Sequence, residues 1–166
     1  MTMMAGRGQR KRSWRGPARA LVFLAGLVVG HALAVTNDAL VSDSRSGLAI
    51  SGYDPVAYFT DADARLGLST LEHGYGGVVW RFRNEGNRAA FVEAPAVYMP
   101  RYGGYDPVAV ARGVAVAGHP LVWLVVGQRL YLFADAKART AFAADPQHYI
   151  AEADRNWPDV RGKFAR

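Results

Sequence analysis

The stretch Gly52-Tyr-Asp-Pro-Val-Ala57 occurs a second time as Gly104-Tyr-Asp-Pro-Val-Ala109, 52 residues further along the chain. Six consecutive identities in a chain of 166 residues indicate an internal repeat. The register continues at an offset of 51 residues, which relates the following pairs: Trp80 and Tyr131, Phe82 and Phe133, Phe91 and Phe142, Pro95 and Pro146, Tyr98 and Tyr149. We therefore predict two duplicated units, at about residues 52–103 and 104–155.

Each unit begins with a helix-start signal, Asp54-Pro55 in the first and Asp106-Pro107 in the second. An aspartate at such a position accepts hydrogen bonds from free backbone N–H groups, and a proline at the first helical position has no N–H to leave unpaired. Two equivalent carboxylates also suggest general acid–base chemistry or an anion held at the helix starts. Capping accounts for both aspartates without acid–base chemistry or a bound anion, so we predict that the protein is not an enzyme.

Hairpin and helix signals follow the helix start in each unit. The clearest hairpin has β-branched and aromatic residues at 121–126 and 129–133, around the two-residue turn Gly127-Gln128. Residues 84–93 and 135–144 have helical patterns. The predicted fold class is α+β, with two duplicated units that each contain a short helical turn, an antiparallel hairpin and a helix, packed as one small domain.

The N-terminal 34 residues have the three parts of a secretory signal peptide in order. A basic stretch ends at Arg19, an apolar run follows, and Ala32-Leu33-Ala34 supplies small residues for cleavage. The uncharged stretch 20–34 has 15 residues, fewer than the ~20 that a spanning helix needs. We expect cleavage after Ala34 and a periplasmic or secreted protein; the alternative is anchorage to the inner membrane by residues 20–34, which would be its membrane contact. Residues 35–47 are then a linker, and residues 159–166 are a C-terminal tail.

Charge is distributed unevenly along the chain. The first 34 residues hold six of the 20 lysine and arginine side chains and none of the 14 aspartates and glutamates, so the remainder is balanced. A neutral domain lacks the basic surface that binding to a phosphate backbone requires. We therefore predict no nucleic-acid partner, and expect an unknown small ligand or a protein of the cell envelope. The chain has no cysteine, which excludes disulfides, thiol chemistry and thiolate metal ligands.

Several motifs between residues 48 and 158 resemble the YHS-domain proteins that bacteria export. These motifs are Trp80-Arg-Phe82, Asn87-Arg-Ala-Ala-Phe91, Tyr102-Gly-Gly-Tyr105 and Asn156-Trp-Pro158. The resemblance implies a small α+β domain that binds or handles metal, by analogy with related domains of heavy-metal transporters. The family usually has Cys-Ala after Tyr-Gly-Gly-Tyr, whereas this chain has Asp106-Pro107. A divalent metal bound there would have an oxygen ligand, which favours zinc or a harder ion.

Two histidines precede the predicted hairpin turns and are the candidate ligands beside Asp106. They are His73 and His119, and no two histidines have the spacing of a helical pair, so folding would have to assemble a site. The two are not equivalent, because the repeat offset relates residue 73 to Leu124. An ordinary surface or core histidine is the alternative for each. We interpret His148 as a surface residue of a helix.

Tyr53 and Tyr105 lie next to glycines at equivalent places in the repeat, and we predict that they line a cleft between the two units. The sequence as a whole predicts an exported, non-enzymatic binding module for a metal ion or small ligand. A protein-interaction or structural domain of the envelope, and an enzyme that uses carboxylates and a histidine, are the two alternatives.

Overall fold

The computed structural model describes residues 40–164, and within them helices and hairpins confirm the α+β fold class. The predicted signal peptide and the first part of the predicted linker lie outside these residues. The elements in chain order are the 3₁₀ turn Ile50–Gly52, α1 Ala57–Thr60, β1 Leu68–Tyr75, β2 Val78–Phe82, α2 Glu85–Glu93, α3 Pro95–Tyr98, the 3₁₀ turn Arg101–Gly104, α4 Pro107–Val110, β3 His119–Val126, β4 Arg129–Phe133, α5 Ala136–Ala144 and α6 Pro146–Gly162. Among the described residues, no helix combines the length and the apolar character needed to cross a membrane.

The same order of elements occurs twice, first from the turn at Ile50 to α3 and again from the turn at Arg101 to α6. This recurrence is what a duplication predicts, and a common origin of the two halves stays a prediction. Helices α2 and α5 begin directly after Asn84 and Asp135, the first residues of the predicted helical patterns. Each of these side chains accepts a hydrogen bond from the backbone N–H three residues later and so caps its helix. We refer below to residues 50–98 as the first half and to residues 101–162 as the second half.

Each half contributes one two-stranded antiparallel hairpin. The turns are Gly76-Gly77 and Gly127-Gln128, and all four residues have a positive φ between 57° and 78°. This is the backbone of the two-residue turns whose twist matches that of the strands they join. The second hairpin therefore forms where the sequence predicts it. The first hairpin has the same two-residue turn, with Gly74 inside strand β1.

The second hairpin lies between two hydrophobic clusters of the domain. Successive side chains of a strand point to opposite faces, and in β4 the residues Leu130 and Leu132 pack with the first-half cluster around Trp80 and Phe91. Tyr131 and Phe133 pack on the other face with a second cluster. Strand β4 is therefore buried on both faces and contributes to both clusters.

The last helix extends further than the sequence predicts. Helix α6 continues to Gly162, so residues 159–162 are helical where the sequence predicts a tail. Val160 is fully buried, and the Asn156 Nδ2 donates to the Ala111 carbonyl oxygen at 2.8 Å, which ties α6 to the end of α4. Burial of one more apolar side chain therefore extends the ordered helix past Pro158.

Candidate functional site

The Asp54 carboxylate is fully buried, and both of its oxygen atoms accept hydrogen bonds from other groups of the protein. Its Oδ1 accepts hydrogen bonds from the backbone N–H groups of Val56 and Ala57 at 2.8 and 3.4 Å. Its Oδ2 accepts from the backbone N–H of Arg83 at 2.8 Å and from the Asn87 Nδ2 at 2.7 Å. The side chain therefore caps the turn that leads into α1 and attaches that turn to the end of the first hairpin.

Asp106 has the same role in the second half. Its Oδ1 accepts from the backbone N–H groups of Val108 and Ala109 at 2.8 and 3.4 Å, and its Oδ2 accepts from the Ala134 N–H at 3.0 Å. Only 3% of the residue is exposed. Asp106 is therefore the N-cap of α4, as predicted, whereas Asp54 makes the equivalent bonds to the turn before α1, whose N-cap is Val56. Both carboxylates are buried. Helix α1 itself begins at Ala57, two residues later than predicted.

The structure does not bring the three candidate metal ligands together. Asp106 is buried at the N-terminus of α4. His119 is exposed at the start of β3, where its Nδ1 accepts from the Leu121 N–H at 3.2 Å. His73 lies in β1, on the first hairpin. Within residues 40–164, no group of three or more histidine, aspartate or glutamate side chains has the arrangement of a metal site. His148 is exposed on α6, as predicted, with its ring edge-on to Tyr149.

Tyr53 and Tyr105 pack into different parts of the interior. Tyr53 lies against the first cluster and Tyr105 against the second. The Tyr105 ring stacks on Phe164 with centroids 5.1 Å apart and also contacts Trp157 at 6.1 Å. The two tyrosines thus pack against different clusters, and a cleft lined by both stays a prediction.

Two other tyrosine hydroxyls are held inside the protein by hydrogen bonds. The Tyr58 hydroxyl donates to the Pro120 carbonyl oxygen at 3.0 Å, and the Tyr102 hydroxyl donates to Asp154 Oδ1 at 2.9 Å. Burial raises the pKa of both groups above the ordinary value of 10.0, and the hydrogen bond to Asp154 raises the pKa of Tyr102 further. Both hydroxyls therefore stay protonated at neutral pH and join distant segments of the chain.

A shallow cleft of about 230 Å³ lies between strand β1 and helix α2. His73 lines it from the strand, and four residues line it from the helix: Glu85, Arg88, Ala89 and Val92. We call it the His73 cleft. The four helical residues have the spacing i, i+3, i+4 and i+7, which places them on one face of α2. This stripe is visible in the sequence, but the sequence does not indicate which strand residue it meets.

His73 is a polar residue on the core-facing side of the first hairpin. It pairs across the hairpin with Trp80, which is buried, and its ring lies edge-on to Phe91 with centroids 6.4 Å apart. Leu71 and Tyr75, two residues before and after it, pack against the core from the same face of β1. The imidazole makes no hydrogen bond within the described residues, so its nitrogen atoms are available to a molecule in the cleft.

Arg88 and Glu85 form an ion pair at the rim of the cleft. The Arg88 Nη2 lies 2.7 Å from Glu85 Oε2, and the Arg88 Nε donates to the same oxygen at 2.8 Å. The two side chains are 42% and 64% exposed, and exposed pairs of this kind contribute only about 0.2–1 kcal/mol. A ligand could therefore displace this pair at little cost. Ala89 and Val92 add an apolar surface beside it.

Comparisons with protein-family models, with curated proteins and with solved structures found no match to this chain. The resemblance to YHS domains therefore rests on sequence motifs alone, and any function that it implies stays a proposal.

Proposed function

We propose that this protein is an exported, non-enzymatic binding module of the YHS type, and that it takes a small ligand in the His73 cleft. The observation that carries the proposal is His73 itself. A polar ring lies on an otherwise apolar, core-facing side of a strand, has no hydrogen-bond partner within the described residues, and faces a cleft. No polar side-chain atom among the described residues is buried without a partner, so the ring nitrogens of His73 are accessible from the cleft and can bond to water or to a ligand there.

The second half shows that the fold does not need a histidine at this position. Leu124 pairs with Tyr131 in the same register in which His73 pairs with Trp80. Leu124 also packs against the second cluster, as an apolar residue at this place is expected to do. The same hairpin thus forms with leucine at the equivalent position. The histidine is therefore better explained by a ligand than by folding.

The chemistry of the described residues favours an organic ligand over a metal ion or a reaction. The two repeated aspartates are occupied as caps, and no cluster of three metal-ligating side chains occurs among the described residues. The cleft is small and open to solvent, with a volume of about 230 Å³. We therefore propose a ligand of about that size with both polar and apolar groups.

The test is a fragment screen of the ¹⁵N-labelled full-length protein by NMR, with His73→Leu as the matched variant because leucine stands at the equivalent position of the second half. We expect polar fragments to shift amide signals of β1 and the first turns of α2, and His73→Leu to remove these shifts while the remaining spectrum is unchanged. Fragments that bind elsewhere, or that bind both proteins equally, would contradict the proposal.

An interaction domain of the envelope is the second candidate function. Leu66 and Leu68 are 61% and 51% exposed, on either side of Gly67 at the start of β1. Exposed apolar residues that lie close together occur at protein-binding surfaces, although single ones are ordinary. This candidate becomes the better one if the fragment screen leaves the His73 cleft unperturbed.

A further inference from the structure

We infer that the His73 cleft binds a small zwitterion with an apolar side chain, that is, a free α-amino acid about the size of valine. This inference rests on the proposed function, because it names the ligand class of the same cleft. It is carried by the opposite charges of Arg88 and Glu85, which lie together at the rim beside an apolar surface.

The ion pair at the rim determines which charge pattern a ligand can have. A simple carboxylate that binds Arg88 displaces Glu85 and leaves two like-charged acids close together. A simple amine that binds Glu85 leaves the Arg88 guanidinium unpaired. A zwitterion replaces the one internal pair by two pairs, Arg88 with its carboxylate and Glu85 with its ammonium group, so that no charge is left without a partner.

His73 and the apolar residues complete the same pattern. The unpartnered imidazole of His73 is available as a second hydrogen-bond donor to a carboxylate held by Arg88. Ala89 and Val92 offer apolar contact, and Val92 is 50% exposed without a ligand. An apolar side chain on the ligand would cover this surface.

The second half again provides an internal comparison. The position equivalent to Glu85 is Ala136, and the position equivalent to His73 is Leu124, whereas Arg88 corresponds to Arg139. The acid and the imidazole therefore occur together in the first half and are both missing from the second. Arg139 consequently supplies a matched control for any change at Arg88.

The experiment is an NMR titration of the labelled full-length protein with three related compounds: valine, 3-methylbutanoate, which lacks the ammonium group, and 2-methylpropylamine, which lacks the carboxylate. We expect valine to bind up to about fivefold more tightly than either analogue, the factor that one exposed ion pair contributes. Glu85→Gln should remove the preference for valine over 3-methylbutanoate. Arg88→Gln should remove the preference over the amine, and Arg139→Gln should change neither.

The outcomes separate the ligand class from the site. If 3-methylbutanoate or the amine binds as well as valine, and His73→Leu abolishes that binding, the zwitterion inference is wrong while the proposed function stands. If valine does not bind but other fragments shift signals of the cleft, the conclusion is the same. If no compound shifts signals of the cleft and His73→Leu changes no binding, both the inference and the proposed function are wrong.

Discussion

Replacing Asp54 by alanine should lower the free energy of unfolding by about 4.5 kcal/mol. Three of its hydrogen bonds are short: those from the backbone N–H groups of Val56 and Arg83 at 2.8 Å, and that from the Asn87 Nδ2 at 2.7 Å. A hydrogen bond to a charged group contributes about 1.5 kcal/mol at the lower end of its range. Alanine removes all three and leaves the donors without their acceptors, one of them in a buried bond and two in part-buried bonds.

The same change at Asp106 should cost less, about 3 kcal/mol. Asp106 accepts two bonds of 3.0 Å or less, from the N–H groups of Val108 and Ala134, and it has no side-chain donor. The residue equivalent to Asn87 is Ala138, which has no amide to offer. The difference of about 1.5 kcal/mol between the two variants is the contribution of one bond to a carboxylate.

Urea unfolding followed by tryptophan fluorescence and circular dichroism measures these differences, with Asp159→Ala, an exposed helical residue, as the control. A domain of this size has a total stability of about 5–15 kcal/mol, and the cost expected for Asp54→Ala approaches the lower end of that range. The milder change Asp54→Asn is therefore a useful second variant. It keeps the capping bonds at Oδ1 and loses the two at Oδ2, which predicts a cost of about 3 kcal/mol. A cost below about 1 kcal/mol for Asp54→Ala would refute the assignment of this carboxylate to folding. A larger cost at Asp106 than at Asp54 would refute the contribution assigned to the Asn87 bond.

Two further predictions concern close packing and buried hydroxyls. Gly67→Ala should lower the free energy of unfolding by about 3 kcal/mol, because the added Cβ would lie 2.6 Å from the Phe82 backbone nitrogen. Gly74→Ala is the control, because a Cβ there meets no atom within 4 Å. Equal urea midpoints for the two variants would contradict this prediction. The raised pKa values of Tyr58 and Tyr102 predict stability that is constant below the ordinary tyrosine pKa of 10.0 and falls as the pH rises above it. Tyr58→Phe should make this alkaline loss smaller in urea midpoints measured across that range, and an unchanged pH dependence would contradict it.

The fold could be predicted from the sequence where the signals are local. Asp106-Pro107 marks the start of α4, and Gly127-Gln128 marks the turn of the second hairpin. The end of α6 could not, because Pro158 is a common stop signal and the burial of Val160 depends on where α6 packs. Local patterns thus mark the beginning of α4 and the turn of the second hairpin, whereas packing against distant segments determines how far α6 continues.

The predicted metal ligands do not come together, because His73 and His119 occupy different register positions in their hairpins. His73 and His119 both precede a hairpin turn, but His119 pairs with Phe133 as Leu68 pairs with Phe82. His119 is therefore equivalent to Leu68 at the first residue of its strand, while His73 lies in the middle of its own. Two histidines that look alike along the sequence thus occupy unrelated positions in the hairpins, and the cleft depends on only one of them.

The two halves allow the requirements of the fold to be separated from those of a ligand, because each position can be compared with its equivalent. Asp54 and Asp106 have the same hydrogen-bonding role, so the carboxylates belong to the fold. The same comparison weakens any argument from Arg88 alone, since Arg139 stands at the equivalent position. His73 and Glu85 have no such counterparts. If a ligand still binds after both His73 and Glu85 are substituted, the presence of these two residues in the first half alone must have another cause.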